Sequence, residues 1–330
     1  FNKINILHLI SILKFIDKIF YHSNLIYIYI FIIIKTIVMT MNSKIVWIAS
    51  YPKSGNTMVR TFLSCYFFTE NGVLKDFSPL KNIIPFNSYK NFSDLKKFPE
   101  IEYFINYPEK ISQYWILNQN KITQNTKNEF VFFKTHNAQI NFNSNYFTNN
   151  ILTKCFVYIV RDPRSVLLSS MDHYGFSSFD DSKNSIFSDK RLTYASSELN
   201  LLPEFLLSWK THFLSWQNFY AKNANKGLIV RYEDLVLEPE KHYYLILKFI
   251  CDLLNIKIDK IKFQNCLDTV TFENMKKFEN KFGFYEKSKK AKHFFRSGKT
   301  DEWKKILDVE TIDSVNSKFG KEMKHLNYKI

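Results

Sequence analysis

Glycine and proline are scarce in this chain, at 7 and 8 of 330 residues. A glycine set inside a polar turn is therefore informative, and Gly55 and Gly298 carry the most weight. Cysteine is rarer still: Cys65, Cys155, Cys251 and Cys266 stand far apart. Their spacing gives no zinc pattern and points to buried thiols in a reducing, cytoplasmic compartment. Acidic residues are too few to balance the basic ones, 31 against 46, which leaves a net charge of +15. Such an excess suits nucleic acid, an acidic membrane or an anionic small molecule. No basic-and-aromatic repeat or helix-turn-helix pattern accompanies it, which argues against nucleic acid. Much of the charge is lysine scattered among Asn, Ile, Phe and Tyr, a mixture that AT-rich codons also produce.

Long apolar runs are missing too. In residues 1–40 the longest, Leu25 to Ile34, is ten residues and is followed by Lys35, whereas a bilayer core needs roughly 20. Three readings compete for Phe1 to Thr40: a signal anchor, a flexible or membrane-skimming extension, or upstream sequence translated from an incorrect start. The last is favoured, because Met41 directly precedes the first strand pattern and the chain does not open on Met. Membrane contact is expected only if this segment is real. The remainder, 41–330, is long enough for one large α/β domain.

What is present centres on Lys44 to Phe68, KIVWIASYPKSGNTMVRTFLSCYFF. An apolar run ends in a polar turn, and an amphipathic stretch follows, so the segment reads as strand, turn and helix start. Free backbone N–H groups and the helix dipole at such a start favour an anion. Gly55 lets the backbone approach, Lys53 adds a mobile charge, and Ser54, Asn56 and Thr57 add short polar groups. An ordinary capped βα turn is the alternative.

Further short apolar runs, Phe130 to Phe133, Cys155 to Val160 and Gly227 to Val230, read as buried strands. Helices are expected at Arg164 to Met171, Phe205 to Tyr220, Pro239 to Leu254 and Lys260 to Val270. The aromatic stripe Trp209, Phe213, Trp216 and Tyr220 is expected to be core. Thr69 to Lys127, broken by Pro79, Pro85, Pro99 and Pro108, reads as loops and short helices. The lysine-rich Lys276 to Lys292 reads as a mobile basic loop, and Thr300 is expected to cap a final helix group. The fold class is α/β, with a central, mostly parallel sheet flanked by helices. Ligands of such sheets bind at the carboxyl ends of the strands. Lys53 to Thr57, Lys134 to His136 and Arg161 to Arg164 should therefore meet at one edge.

Five motifs in order, YPKSGNT at Tyr51 to Thr57, FKTH at Phe133 to His136, RDPRSVLLS at Arg161 to Ser169, RYEDL at Arg231 to Leu235 and FRSGKTDEWK at Phe295 to Lys304, resemble the sulfotransferase family. That family uses 3′-phosphoadenosine-5′-phosphosulfate (PAPS) on a P-loop-NTPase-like fold. A nucleotide kinase is the rival, but its loop reads GxxxxGK[ST], whereas here Lys53 precedes Gly55. The resemblance implies no metal. It implies that Lys53, with Ser54, Gly55, Asn56 and Thr57, holds the 5′-phosphosulfate and neutralises the leaving oxygen. Arg161 and Ser169 would grip the 3′-phosphate, with Arg296, Ser297 and Gly298 as a later clamp. His136 would be the catalytic base, and Lys134 would help hold the sulfuryl group. The acceptor would be a small molecule or glycan, and the oligomeric state is not legible. Met58 stands where the family has an adenine-stacking Trp, and Lys210 where soluble animal members have Tyr. The alternative implied by those departures is a protein that binds the nucleotide but is catalytically degenerate.

Overall fold

The computed structural model describes residues 44–330; the expectations for Phe1 to Thr40 lie outside them. Strand β1, Ile45–Ser50, is buried along its whole length, because its alternating side chains enter two different cores. Ile45, Trp47 and Ala49 face one layer, and Val46 and Ile48 the other. The same alternation runs through Thr153–Val160: Phe156, Tyr158 and Val160 on one face, Cys155, Val157 and Ile159 on the other. Helices must therefore cover both faces, which is the condition that produces a parallel sheet.

The chain supplies them in order. After β1 come helix α1, Asn56–Phe68; strand β2, Ile84–Pro85; helix α2, Trp115–Asn125; strand β3, Val131–Thr135; and strand β4, Thr153–Val160. Helix α3, Pro163–Tyr174, starts at a proline, and Asp162 accepts the Arg164 N–H as its cap. Helix α4, Trp209–Lys222, strand β5, Gly227–Arg231, and helices α5, Tyr232–Leu237, α6, Pro239–Leu254, α7, Lys260–Thr269, and α8, Phe272–Phe282, follow, with α9, Val309–His325, last. The sheet order is β2-β3-β1-β4-β5, with every pairing parallel. One layer sets Val59, Phe62 and Leu63 of α1 and Ile246, Leu247 and Ile250 of α6 against the sheet. The opposite layer sets Trp209, Phe213 and Trp216 of α4 and Val315, Phe319 and Met323 of α9 against it. Each such side chain contributes about 1.5–3 kcal/mol by leaving water.

Three local expectations are corrected. Helix α4 begins at Trp209 rather than Phe205, because Leu207 takes a left-handed φ of 58° and Ser208 accepts the Thr211 N–H as the cap. Half of the expected basic loop is α8: Thr271 caps it, and Met275 and Glu279 are buried on its inner side. The final long helix is capped by Asp308, which accepts from Thr311 N–H at 2.7 Å, and not by Thr300. All four cysteines are free and buried. Among the described residues, no helix is long and apolar enough to cross a membrane.

Candidate active site

Parallel register brings the strand ends level. Ala49 pairs with Thr135, Ser50 with Ile159, and Val160 with Arg231. From β1 the chain crosses to β2 at one edge, whereas from β3, beside β1, it crosses to the other side at β4, so the crevice of such a sheet opens between β1 and β3. A cavity of about 1160 Å³ lies there. Lys53, Gly55, Asn56, Thr57, Lys134, His136, Arg161, Ser169, Arg296, Ser297 and Gly298 all line it. Ser54, expected to hold the 5′-phosphosulfate, is not in its wall; it is fully buried behind it, with its hydroxyl unpartnered.

The turn after β1 is shaped by two left-handed residues, Lys53 at φ 67° and Gly55 at φ 96°. A Cβ on Gly55 would stand 2.4 Å from the Tyr232 ring, so only glycine fits. Gly55 is the N-cap of α1 and supplies no side-chain bond. The first N–H groups of a 13-residue helix therefore open onto the cavity. Asn56 turns inward: its amide donates to Ile48 O at 3.0 Å and to Ser50 Oγ at 3.2 Å, bracing the strand end.

Arg161, 9% exposed, donates to Lys53 O at 3.0 Å and Lys299 O at 3.2 Å, and stacks 4.2 Å over Tyr232. Its Nε is buried without a partner. The acids beside it are engaged elsewhere: Asp162 pairs with Arg164 at 2.6 Å, and Asp234 with Arg231 at 3.7 Å. Lys53 Nζ sits 4.7 Å over the Phe294 ring. Burial, and then the nearby Arg161, push its pKa down to about 8. An open helix terminus beside two cations, Lys53 and Arg161, fits a phosphate-bearing ligand. Across the cavity, Arg296 pairs with Asp172 at 2.8 Å and Glu302 at 2.5 Å, and Ser297 also donates to Glu302.

His136 is held from three sides. Its N–H donates to Glu204 at 2.6 Å, its carbonyl accepts from His212 Nε2 at 3.0 Å, and its Nδ1 stands 2.8 Å from Ser50 O. A carbonyl oxygen can only accept, so Nδ1 carries the proton and Nε2 keeps its lone pair. Burial, and then Lys134, hold the ring well below its ordinary pKa, in the neutral form.

Several neighbours escaped the sequence reading. His173, one helical turn past Ser169, lines the cavity, and burial and Lys53 push it down to about 3. Tyr232 and Phe272 add aromatic walls, Phe272 packing against Gly298. Met58 is in the wall, as its place in the loop implies. Lys210 is not: it pairs with Glu322 on α9 at 3.2 Å, while Trp209 turns in to donate to Arg161 O. Among the described residues, no group of three or more metal-ligating side chains gathers.

Comparison with known proteins agrees with this layout. The family model described as "Sulfotransferase domain" matches residues 43–327. Sulfotransferase 2A6 of Rattus norvegicus is 26% identical over 172 residues, 51% of this chain and 56% of the relative. The chain thus spans about half the length of that curated relative. Two solved structures of retinol dehydratase superpose with a TM-score of 0.56 over 89% of this chain and 85% of theirs. One holds androsterone and the inactive cofactor PAP, at 18% identity; the other holds retinol and PAP, at 19%. With the motif-bearing strand ends gathered on one sheet edge and the family model covering nearly all described residues, the chain belongs to the sulfotransferase domain family.

Proposed function

We propose that this protein transfers a sulfuryl group from PAPS to a hydroxyl or amine of an acceptor. The observation that carries the reading is the pairing, in one cavity, of a neutral His136 whose Nε2 is free with a cationic anion-binding turn. The nucleotide, when bound, supplies the activated sulfuryl group and leaves as the desulfated phosphate. The turn from Lys53 to Thr57 holds its 5′ end through backbone N–H groups and the Lys53 ammonium. Arg161 and Ser169, with Arg296 to Gly298, hold its 3′-phosphate. Arg296 and Ser297 would exchange their present carboxylate, Glu302, for it.

In this reading the two substrates lie on opposite sides of β1. Arg161 and Tyr232 follow β4 and β5 on one side of β1, whereas Lys134 and His136 stand at the end of β3 on the other. The acceptor therefore enters from the β3 side. His136 Nε2 takes the acceptor proton as the acceptor oxygen or nitrogen bonds sulfur. Lys53, and Lys134 beside it, neutralise charge on the departing phosphate oxygen and on the sulfuryl group. The Ser50 carbonyl keeps the imidazole tautomer fixed throughout.

His136→Ala is expected to lower transfer of labelled sulfate by at least about 100-fold while PAP binding, followed by calorimetry, stays intact. Equal loss of both would remove His136 from the role of base. PAP binding without transfer to any acceptor would favour the degenerate-enzyme reading that Met58 raises.

A further inference from the structure

The cavity continues past these groups toward the β2 edge, where three cross-links close its rim. Arg60, fully buried on α1, donates to Ile83 O at 3.2 and 2.9 Å and to both Glu286 oxygens at 2.8 and 3.1 Å. One guanidinium thus ties the segment after α8 to the strand edge. Lys289 pairs with Glu198, joining that segment to the loop 196–202. This loop returns to β2 through the Ser88–Leu201 bridge and a 2.8 Å bond from Tyr89 N–H to Asn200 O.

Charge inside this ring is unbalanced. Glu198 and Glu286 are the two carboxylates in the cavity wall, and each already faces its own cation. Lys81, from the turn before β2, and Lys90, from the turn after it, line the cavity with Lys287. Among the described residues none of the three meets a carboxylate, and Lys287 reaches only a backbone carbonyl, Lys292 O, at 3.5 Å. Ile84, Pro85, Leu199 and Leu201 add apolar surface to the same cavity, with Leu199 left 62% exposed. Three ammonium groups around an open apolar wall attract an anion and repel one another without it. Their long stems suit an anionic group that sits at a distance from the reacting centre.

We propose that this arm is an anion subsite in which Lys81, Lys90 and Lys287 hold a carboxylate or sulfate group of the acceptor. The acceptor is then an amphiphile, with an apolar body against Ile84 and Leu199 and its reacting hydroxyl or amine toward His136. The assignment of this arm to the acceptor rests on the sulfuryl-transfer reading.

Calorimetric titration of the full chain, with and without PAP, using 2-naphthol, 6-hydroxy-2-naphthoate and 6-hydroxynaphthalene-2-sulfonate tests it. One or both anionic naphthols are expected to bind about tenfold tighter than 2-naphthol at low salt, with the advantage shrinking as salt is added. In the triple variant K81M/K90M/K287M the advantage should vanish, while 2-naphthol affinity changes less than about twofold. A stronger sulfonate assigns a sulfated acceptor, and a stronger carboxylate a carboxylated one. Anion affinity no better than that of 2-naphthol, or an advantage that survives in the triple variant, overturns the subsite. Failure of the wild type to bind PAP would instead strike the underlying reading, and the PAP-free titrations decide the subsite in that case.

Discussion

In the proposed reaction Lys53 and His136 need opposite protonation states, and the surroundings of each set where they are reached. His136 must be neutral, and burial holds its pKa well below 6.5, so the acid limb of kcat/KM should fall well below that value. Lys53 must be charged, and its pKa near 8 places the alkaline limb of kcat/KM close to pH 8. A bound phosphate stabilises the ammonium, so the same limb in kcat should move to higher pH. Lys53→Ala should remove the alkaline limb and lower kcat about 100-fold or more, the scale of losing one aimed donor. An alkaline limb that persists in that variant would assign it to another group. The residues legible from the apolar pattern were those at the ends of apolar runs, because a parallel sheet puts strand ends on one edge; Ser169 and Arg296 to Gly298 were legible only through the motifs. His173 and Phe272 were not legible, since each reaches the cavity from the far end or the start of a helix whose packing decides its aim.

Elements with two buried faces were the most readable. β1 and β4 present unbroken apolar runs because both cores claim their side chains, and α6 was legible to the residue from Pro239 to Leu254. Helix α8 was missed because lysines hide a stripe of Phe272, Met275, Phe278 and Phe282 behind a Thr271 cap. The segment after it looked mobile for the same reason, yet Glu279 accepts from Phe294 and Phe295 N–H, and Glu286 is clamped by Arg60. Burial opposes ionisation of Glu286, but Arg60 overcomes it and holds the carboxyl below its ordinary value. Glu286→Ala strands a fully buried guanidinium and should destabilise the fold by about 3 kcal/mol. Limited proteolysis should then cut between Gly283 and Lys299 well before other sites. Wild-type resistance in that variant would show that the segment is held without the pair.

At the scale of the whole molecule, three histidines, His136, His173 and His212, are kept neutral by burial, His173 and His212 down to about 3. An unfolded chain protonates them near 6.5, whereas the folded chain does not. Their contribution is complete above pH 6.5 and is lost as pH falls below it, by up to about 1.4 kcal/mol per pH unit for each. Calorimetry should show Tm dropping between about pH 6.5 and pH 5, before most carboxylates titrate. A flat Tm across that interval would contradict the buried neutral state.

The two-residue β2 ends the sheet on Pro85, which has no N–H to offer a further strand. The sheet therefore stops at that edge, and short turns take over the cavity wall beyond it. The turn proposed to hold the donor follows a strand locked by register on both sides, while the opposite wall is made of short turns joined by a few ion pairs. Grafting new turns onto residues 78–92 and 196–202 should redirect which molecules are modified while the donor machinery is kept whole.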